Sequence, residues 1–255
     1  MKQRVITAIA IIAVVFFPVY LGGIPLELLA LVIVAGGCFE WMNAHRQNRK
    51  WPVWFIPLCA IVVLVSRFIP STFLYAYYAF VVALLWALPI FFPEITSQDS
   101  FTALAFFMIF SLIYKAIGLL QIEHRYLWTI VFATYASDTF AYLVGRKLGK
   151  HKMIPRVSPK KSWEGFIGGV IGGFALSLLV SLLYIKHLDV LLTVSLCIMC
   201  PIVAELGDLA FSVIKRSTGK KDFSNLLPGH GGILDRTDSL LMNILLFGIL
   251  VTLIG

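Results

Sequence analysis

The sequence predicts an all-α fold: a polytopic integral membrane helical bundle of about nine transmembrane helices, with its N-terminus in the cytoplasm. Three observations carry that expectation. Of the 255 residues, 60% are hydrophobic and only 13% are charged, against about 25% charged in an ordinary soluble chain. The apolar residues gather into runs close to the ~20 residues that cross a bilayer. The basic residues are sorted between connectors, with most on one side.

In order, the chain opens with a charged MKQR and an apolar run over 5–21. No small-residue cleavage site closes that run, so it is expected to stay as the first span rather than to leave as a signal peptide. Gly22, Gly23 and Pro25 make a turn into span 2 (24–43), which carries Glu27 near its start and Glu40 near its end. The basic loop 45–50 leads to span 3 (52–69); Arg67, Pro70 and Ser71 separate it from span 4 (72–92). The polar loop 93–100 precedes span 5 (101–118), where Lys115 can snorkel to the interface. Span 6 (126–145) contains Asp138. A loop over 146–163 holds seven Lys and Arg residues. Span 7 (164–185) is glycine-rich, with Gly165, Gly168, Gly169, Gly172 and Gly173 suited to close helix approach; it permits a homodimer without requiring one. Spans 8 (189–214) and 9 (237–254) flank a polar segment.

With the N-terminus inside, seventeen basic residues fall on the cytoplasmic side and three outside, the bias expected of the positive-inside rule. The net charge of +8 therefore reflects topology and anionic headgroups rather than nucleic acid. Cys38, Cys59, Cys197 and Cys200 all lie in apolar stretches. Cys197 and Cys200 form C-x-x-C, but no second ligand pair accompanies them, so packed thiols are expected rather than zinc.

The chemistry is concentrated at 207–239. This segment carries Asp208, Asp222, Asp235 and Asp238 beside Lys215, Arg216, Lys220, Lys221 and Arg236, between almost wholly apolar flanks. Carboxylates grouped in D-R-x-D suit a hard cation such as Mg²⁺, which keeps waters and phosphates as its other ligands. If the helices carrying Asp208 and Asp235 pack as neighbours, the two carboxylates can meet. Gly229, Gly231 and Gly232 leave room for backbone N–H groups to approach phosphate. Lys215, Arg216 and Arg236 supply countercharge. Asp138, Glu164, Glu205 and Asp208 fall in or at the edge of spans, where each buried carboxylate costs roughly 2.5–3.5 kcal/mol. Glu205 and Asp208 share a helix face. Four such groups point to a polar site. A solvated loop with paired Lys and Asp is the plain alternative.

Residues 212–238 resemble the signature of the phosphatidate cytidylyltransferase (CDP-diacylglycerol synthase) family. The match runs through Ser212, Lys215-Arg216, Lys221-Asp222, Ser224, Leu227-Pro228, His230-Gly231-Gly232 and Asp235-Arg236-x-Asp238, with no departure. The segment Ser158-Pro-Lys160-Lys161-Ser162-x-Glu164-Gly is similar to a second motif of that family, and Asp138 with Gly145-Arg146 is family-like with less specificity. Independently, Ser162 is placed to cap span 7 and to aim a helix N-terminus at an anion. The resemblance implies transfer of the cytidylyl group of CTP to phosphatidic acid at the inner membrane, with the site facing the cytoplasm. It implies Mg²⁺ on Asp208, Asp235 and Asp238; a second cation nearby fits the same charge balance. His230 could donate to a phosphate or orient Asp235. On this reading 1–125 are N-terminal membrane spans and 126–255 the catalytic membrane region, with cytoplasmic loops 146–163 and 215–236. The rivals are a CTP-dependent lipid-alcohol kinase and an ion-coupled transporter; inverted repeats, which the latter calls for, are not visible in the sequence.

Overall fold

The computed structural model describes residues 13–46, 49–184, 189–227, 229 and 231–254. Among these, seven helices are long and apolar enough to cross a membrane, which makes the chain a multi-pass membrane protein. The elements are α1 (residues 13–21), α2 (Gly23–Arg46), α3 (Phe55–Ser66), a 3₁₀ turn (Ser71–Phe73), α4 (Leu74–Phe91), α5 (Ser97–Ile122), α6 (Tyr126–Leu148), β1 (Lys152–Ile154), β2 (Ser158–Ser162), α7 (Trp163–Tyr184), α8 (Val190–Ser217) and α9 (Leu234–Ile254). The expected first span lies partly outside the described residues. The expected third span shortens to the 12 residues of α3. Trp51-Pro52 and Ile69-Pro70 bracket it, and each proline disfavours helix in the residue before it.

Two compact units form: Met1–Gly118 with Asp222–Arg236, and Leu119–Lys221 with Thr237–Gly255. In the first, the core is aromatic. Phe106 and Phe110 stack with centroids 4.2 Å apart, Trp41 meets Phe110 edge-on at 6.1 Å, and Phe223, from the 222–236 loop, stacks on Trp41 at 6.4 Å. Gly22 and Gly23 both take positive φ between α1 and α2. A capping box starts α5: Thr96 Oγ1 accepts the Asp99 N–H, and Asp99 Oδ2 accepts the Thr96 N–H at 2.9 Å. Arg49 pairs with the same Asp99 carboxylate.

In the second unit, α6 and α7 pack at backbone distance. A Cβ on Gly165 would fall 2.8 Å from the Ala141 carbonyl oxygen, one on Gly169 2.9 Å from that of Ser137, and one on Gly173 3.0 Å from that of Ala133. The four-residue spacing on each helix runs in opposite directions, as antiparallel neighbours require. Gly168 and Gly172 meet Val144 and Phe140 of the same helix, so the glycine-rich face serves packing within the chain. The expected loop 146–163 is not all coil. Lys152 pairs with Ser162 and Ile154 with Ser158 in a small antiparallel hairpin, anchored by the buried Val157. All four cysteines are buried and free of disulfides.

Candidate active site

The hairpin, the end of α6, the start of α7 and α8 enclose a cavity of about 530 Å³, within the usual range for a small-molecule site. Four cationic side chains line it, Arg146, Lys152, Lys160 and Lys161, against two carboxylates, Asp138 and Glu205. Local folding places them. The Ser162 hydroxyl accepts the Gly165 N–H at 3.2 Å, the N-cap expected from the sequence, and this turns the strand carrying Lys160 and Lys161 into α7. Gly145 and Gly165 also line the cavity.

Lys161 is the electrostatic centre of this unit. Its Nζ lies 2.8 Å from Glu205 Oε2 and 2.6 Å from Asp208 Oδ2, and it also donates to the Glu205 carbonyl at 3.3 Å. Burial works to lower the ammonium's pKa, but the Asp208 and Glu205 carboxylates outweigh it and hold the group above the ordinary lysine value. Lys161 is therefore a permanent cation at physiological pH. Glu205 is only 1% exposed and is also approached by the Ser137 hydroxyl at 3.3 Å. Glu205, Asp208 and Asp238 all lie within electrostatic reach of Asp138. Asp238 and Lys215 are both buried, with Nζ and Oδ2 3.8 Å apart. Gly207 makes this neighbourhood close, because a Cβ there would stand 3.4 Å from Ser239 Cα.

The first unit contains the glycine turn. The Leu227 N–H donates to the Gly231 carbonyl at 2.8 Å, and Gly229 and Gly231 take φ of 77° and 85°, the left-handed region that glycine accepts without strain. The sequence suggested that glycine N–H groups here face phosphate. The structure gives Gly232 another use: its N–H donates to Asp235 Oδ2 at 2.9 Å, as does that of Phe223 at 2.8 Å. The missing Cβ of Gly232 makes way for the carboxylate of Glu40.

The remaining expected residues fall as follows. Glu164 accepts N–H groups of Lys150 and His151 and lies 2.6 Å from His151 Nδ1; it ties the loop down and does not line the cavity. Ser158 sits in β2 opposite Ile154. Arg216 is exposed and donates to the Lys220 carbonyl at 2.9 Å. Lys221, Asp222 and Arg236 are exposed. His230 lies outside the described residues. Asp208 and Asp235 belong to different units. Among the described residues, no group of three or more His, Cys, Asp or Glu side chains is arranged as a ready metal cage. Mg²⁺ seldom uses such a cage: one or two carboxylates plus waters and phosphate satisfy it, and the acidic, all-oxygen donor set of Asp208 and Asp238 fits that chemistry. Sequence reasoning assigned no role to Lys152 at the cavity or to Glu40 at the glycine turn. Lys152 joins the cavity only through the hairpin. Glu40 had one signal, a carboxylate in an apolar helix.

A multi-pass membrane protein whose cavity is lined by four cationic side chains against two carboxylates is suited to a phosphorylated ligand at a bilayer. The chain belongs to the cytidylyltransferase family, whose model matches residues 2–254. It is similar to phosphatidate cytidylyltransferases of Staphylococcus epidermidis, 30% identical over 260 residues and covering 98% of this chain and 99% of the relative, and of Brucella abortus, 33% identical over 253 residues and covering 94% and 89%. The Bacillus subtilis protein of that name is 29% identical over 257 residues, 94% of each chain.

Proposed function

We propose that the chain transfers the cytidylyl group of CTP to phosphatidic acid, giving CDP-diacylglycerol and pyrophosphate for phospholipid synthesis. The observation that carries the reading is the cavity edged by Arg146, Lys152, Lys160 and Lys161, in a membrane chain of this family. The reaction needs no protein nucleophile. An oxygen of the lipid phosphate attacks the α-phosphorus of CTP; the bond from that phosphorus to the bridging oxygen breaks, and pyrophosphate leaves with the electron pair. Two anions must meet, so the protein's task is positioning and charge neutralisation. Lys160, Lys161, Arg146 and Lys152 balance the triphosphate. Lys161 stays protonated because Asp208 and Glu205 hold it so. Lys215 and Arg216 serve the leaving group.

Asp208 and Asp238 would hold Mg²⁺, and Asp235, which the D-R-x-D motif sets three residues before Asp238 on α9, would serve the same transfer. When bound, the ion would supply Lewis-acid neutralisation of phosphate charge. The positive-inside bias supports an N-terminus, and loops 146–163 and 215–236, on the cytoplasmic face of the inner membrane, where CTP is found.

The test is purified protein with α-labelled CTP and vesicles containing phosphatidic acid. Label in the lipid with stoichiometric pyrophosphate is expected. Lipid label from the γ position, with CDP released, would replace this reading by the kinase.

A further inference from the structure

Glu40 lies near the end of α2 and is 1% exposed, yet the chemistry above makes no use of it. A buried carboxylate persists only where its oxygens are satisfied. All the partners it shows lie nearly two hundred residues further along the chain. Oε1 accepts the Ser224 hydroxyl at 2.7 Å and the Ile233 N–H at 2.8 Å; Oε2 accepts the Leu234 N–H at 2.8 Å. Ser224 passes the restraint on, because its Oγ accepts the Leu226 N–H at 3.1 Å. Ile233 and Leu234 open α9, where the first N–H groups have no partner inside the helix and the dipole favours an anion. Glu40 thus caps α9 from another helix. Asp235 is the next residue, and its Oδ2 gathers the same turn from the other side through Phe223 and Gly232.

We infer that Glu40 is a positioning residue for Asp235. Its carboxylate fixes Ser224 and the start of α9, so the Asp235 carboxylate is held in one orientation. Without Glu40, the N–H groups of residues 233 and 234 lose their acceptor, the first turn of α9 frays, and Asp235 samples several directions. The inference rests on the reading that Asp235 serves cytidylyl transfer. A residue that only cemented the N-terminal unit would be lost through folding, not through turnover.

The test uses the full chain in detergent and the variant Glu40→Gln, which keeps size but turns an amide N–H toward a backbone donor. Because Glu40 acts from one layer back, kcat is expected to fall about 10–100-fold while KM for CTP moves less than about threefold. Asp235→Asn combined with Glu40→Gln should be no slower than Asp235→Asn alone, since the two act as a unit. Trypsin should cut at Lys220 and Lys221 faster in Glu40→Gln than in wild type, at equal folded fraction. Wild-type kcat in Glu40→Gln, or losses that multiply in the double variant, overturns the inference. If Glu40→Gln does not fold, Glu40→Asp, which keeps the charge but shortens the reach, takes its place with the same expectations. Were wild-type protein to transfer no label, the function reading would fall; the trypsin comparison would then decide, and equal cutting rates would end the positioning role.

Discussion

The hairpin cavity and the glycine turn both hold buried or half-buried carboxylates, but they satisfy them differently. At the cavity, Glu205 of its lining and the neighbouring Asp208 are met by the side-chain ammonium of Lys161. In the turn, Glu40 and Asp235 are met largely by backbone N–H groups. An ammonium on a flexible stem can exchange one anion for another, so the cavity can accept a phosphate without refolding. Backbone N–H groups are fixed to the chain, so the turn sets geometry. One region offers exchangeable charge; the other holds its carboxylates to the backbone.

That contrast is open to direct attack, beginning where the effect is largest. Lys161→Ala leaves the buried Glu205 without its cation. Breaking such a pair costs about 3–5 kcal/mol, so thermal unfolding in detergent should drop sharply and label transfer should vanish. A variant with unchanged unfolding would show that the cavity does not depend on this pair. The pH dependence agrees in sign: a lysine held above its ordinary pKa stabilises fully at and below the usual lysine range. It loses that contribution only as pH rises through the raised value, so wild-type stability should show no Lys161 step near neutrality.

Asp235→Asn should behave in the opposite way. Asparagine keeps an oxygen for the Phe223 and Gly232 N–H groups but loses the charge. Turnover should fall by roughly 10²–10³-fold, with folded protein in the membrane at wild-type level. Near-normal turnover would remove Asp235 from the reaction. Gly169→Val should cost about 1–3 kcal/mol by overpacking α6 against α7, because its Cβ would stand 2.9 Å from both Ala141 Cβ and the Ser137 carbonyl oxygen; unfolding temperature reports it. Ser162→Ala should be mildest. It removes the α7 cap, worth about 1 kcal/mol, and should lower unfolding temperature by a few degrees.

Much of the architecture was legible because hydropathy is a local property. The expected spans at 24–43, 72–92, 101–118, 126–145, 164–185, 189–214 and 237–254 each correspond to a long helix. The Ser162 cap was legible too, since a cap concerns residues three apart. The hairpin was not. Ser-Pro-Lys-Lys looks like a basic loop until Lys152 finds Ser162 across ten residues. Nor was the use of Gly232, whose vacancy for a Cβ faces a side chain from α2.

By itself the sequence determined that this is a membrane chain, where most of its spans lie, and which motifs carry its acids and bases, because each depends on residue type over a short window. Only the tertiary structure decided which of those groups meet. Lys161 reaches Glu205 over 44 residues, and Glu40 reaches Leu234 over 194. A buried charge must take whatever partner the packed helices bring to it, and no local pattern encodes that choice.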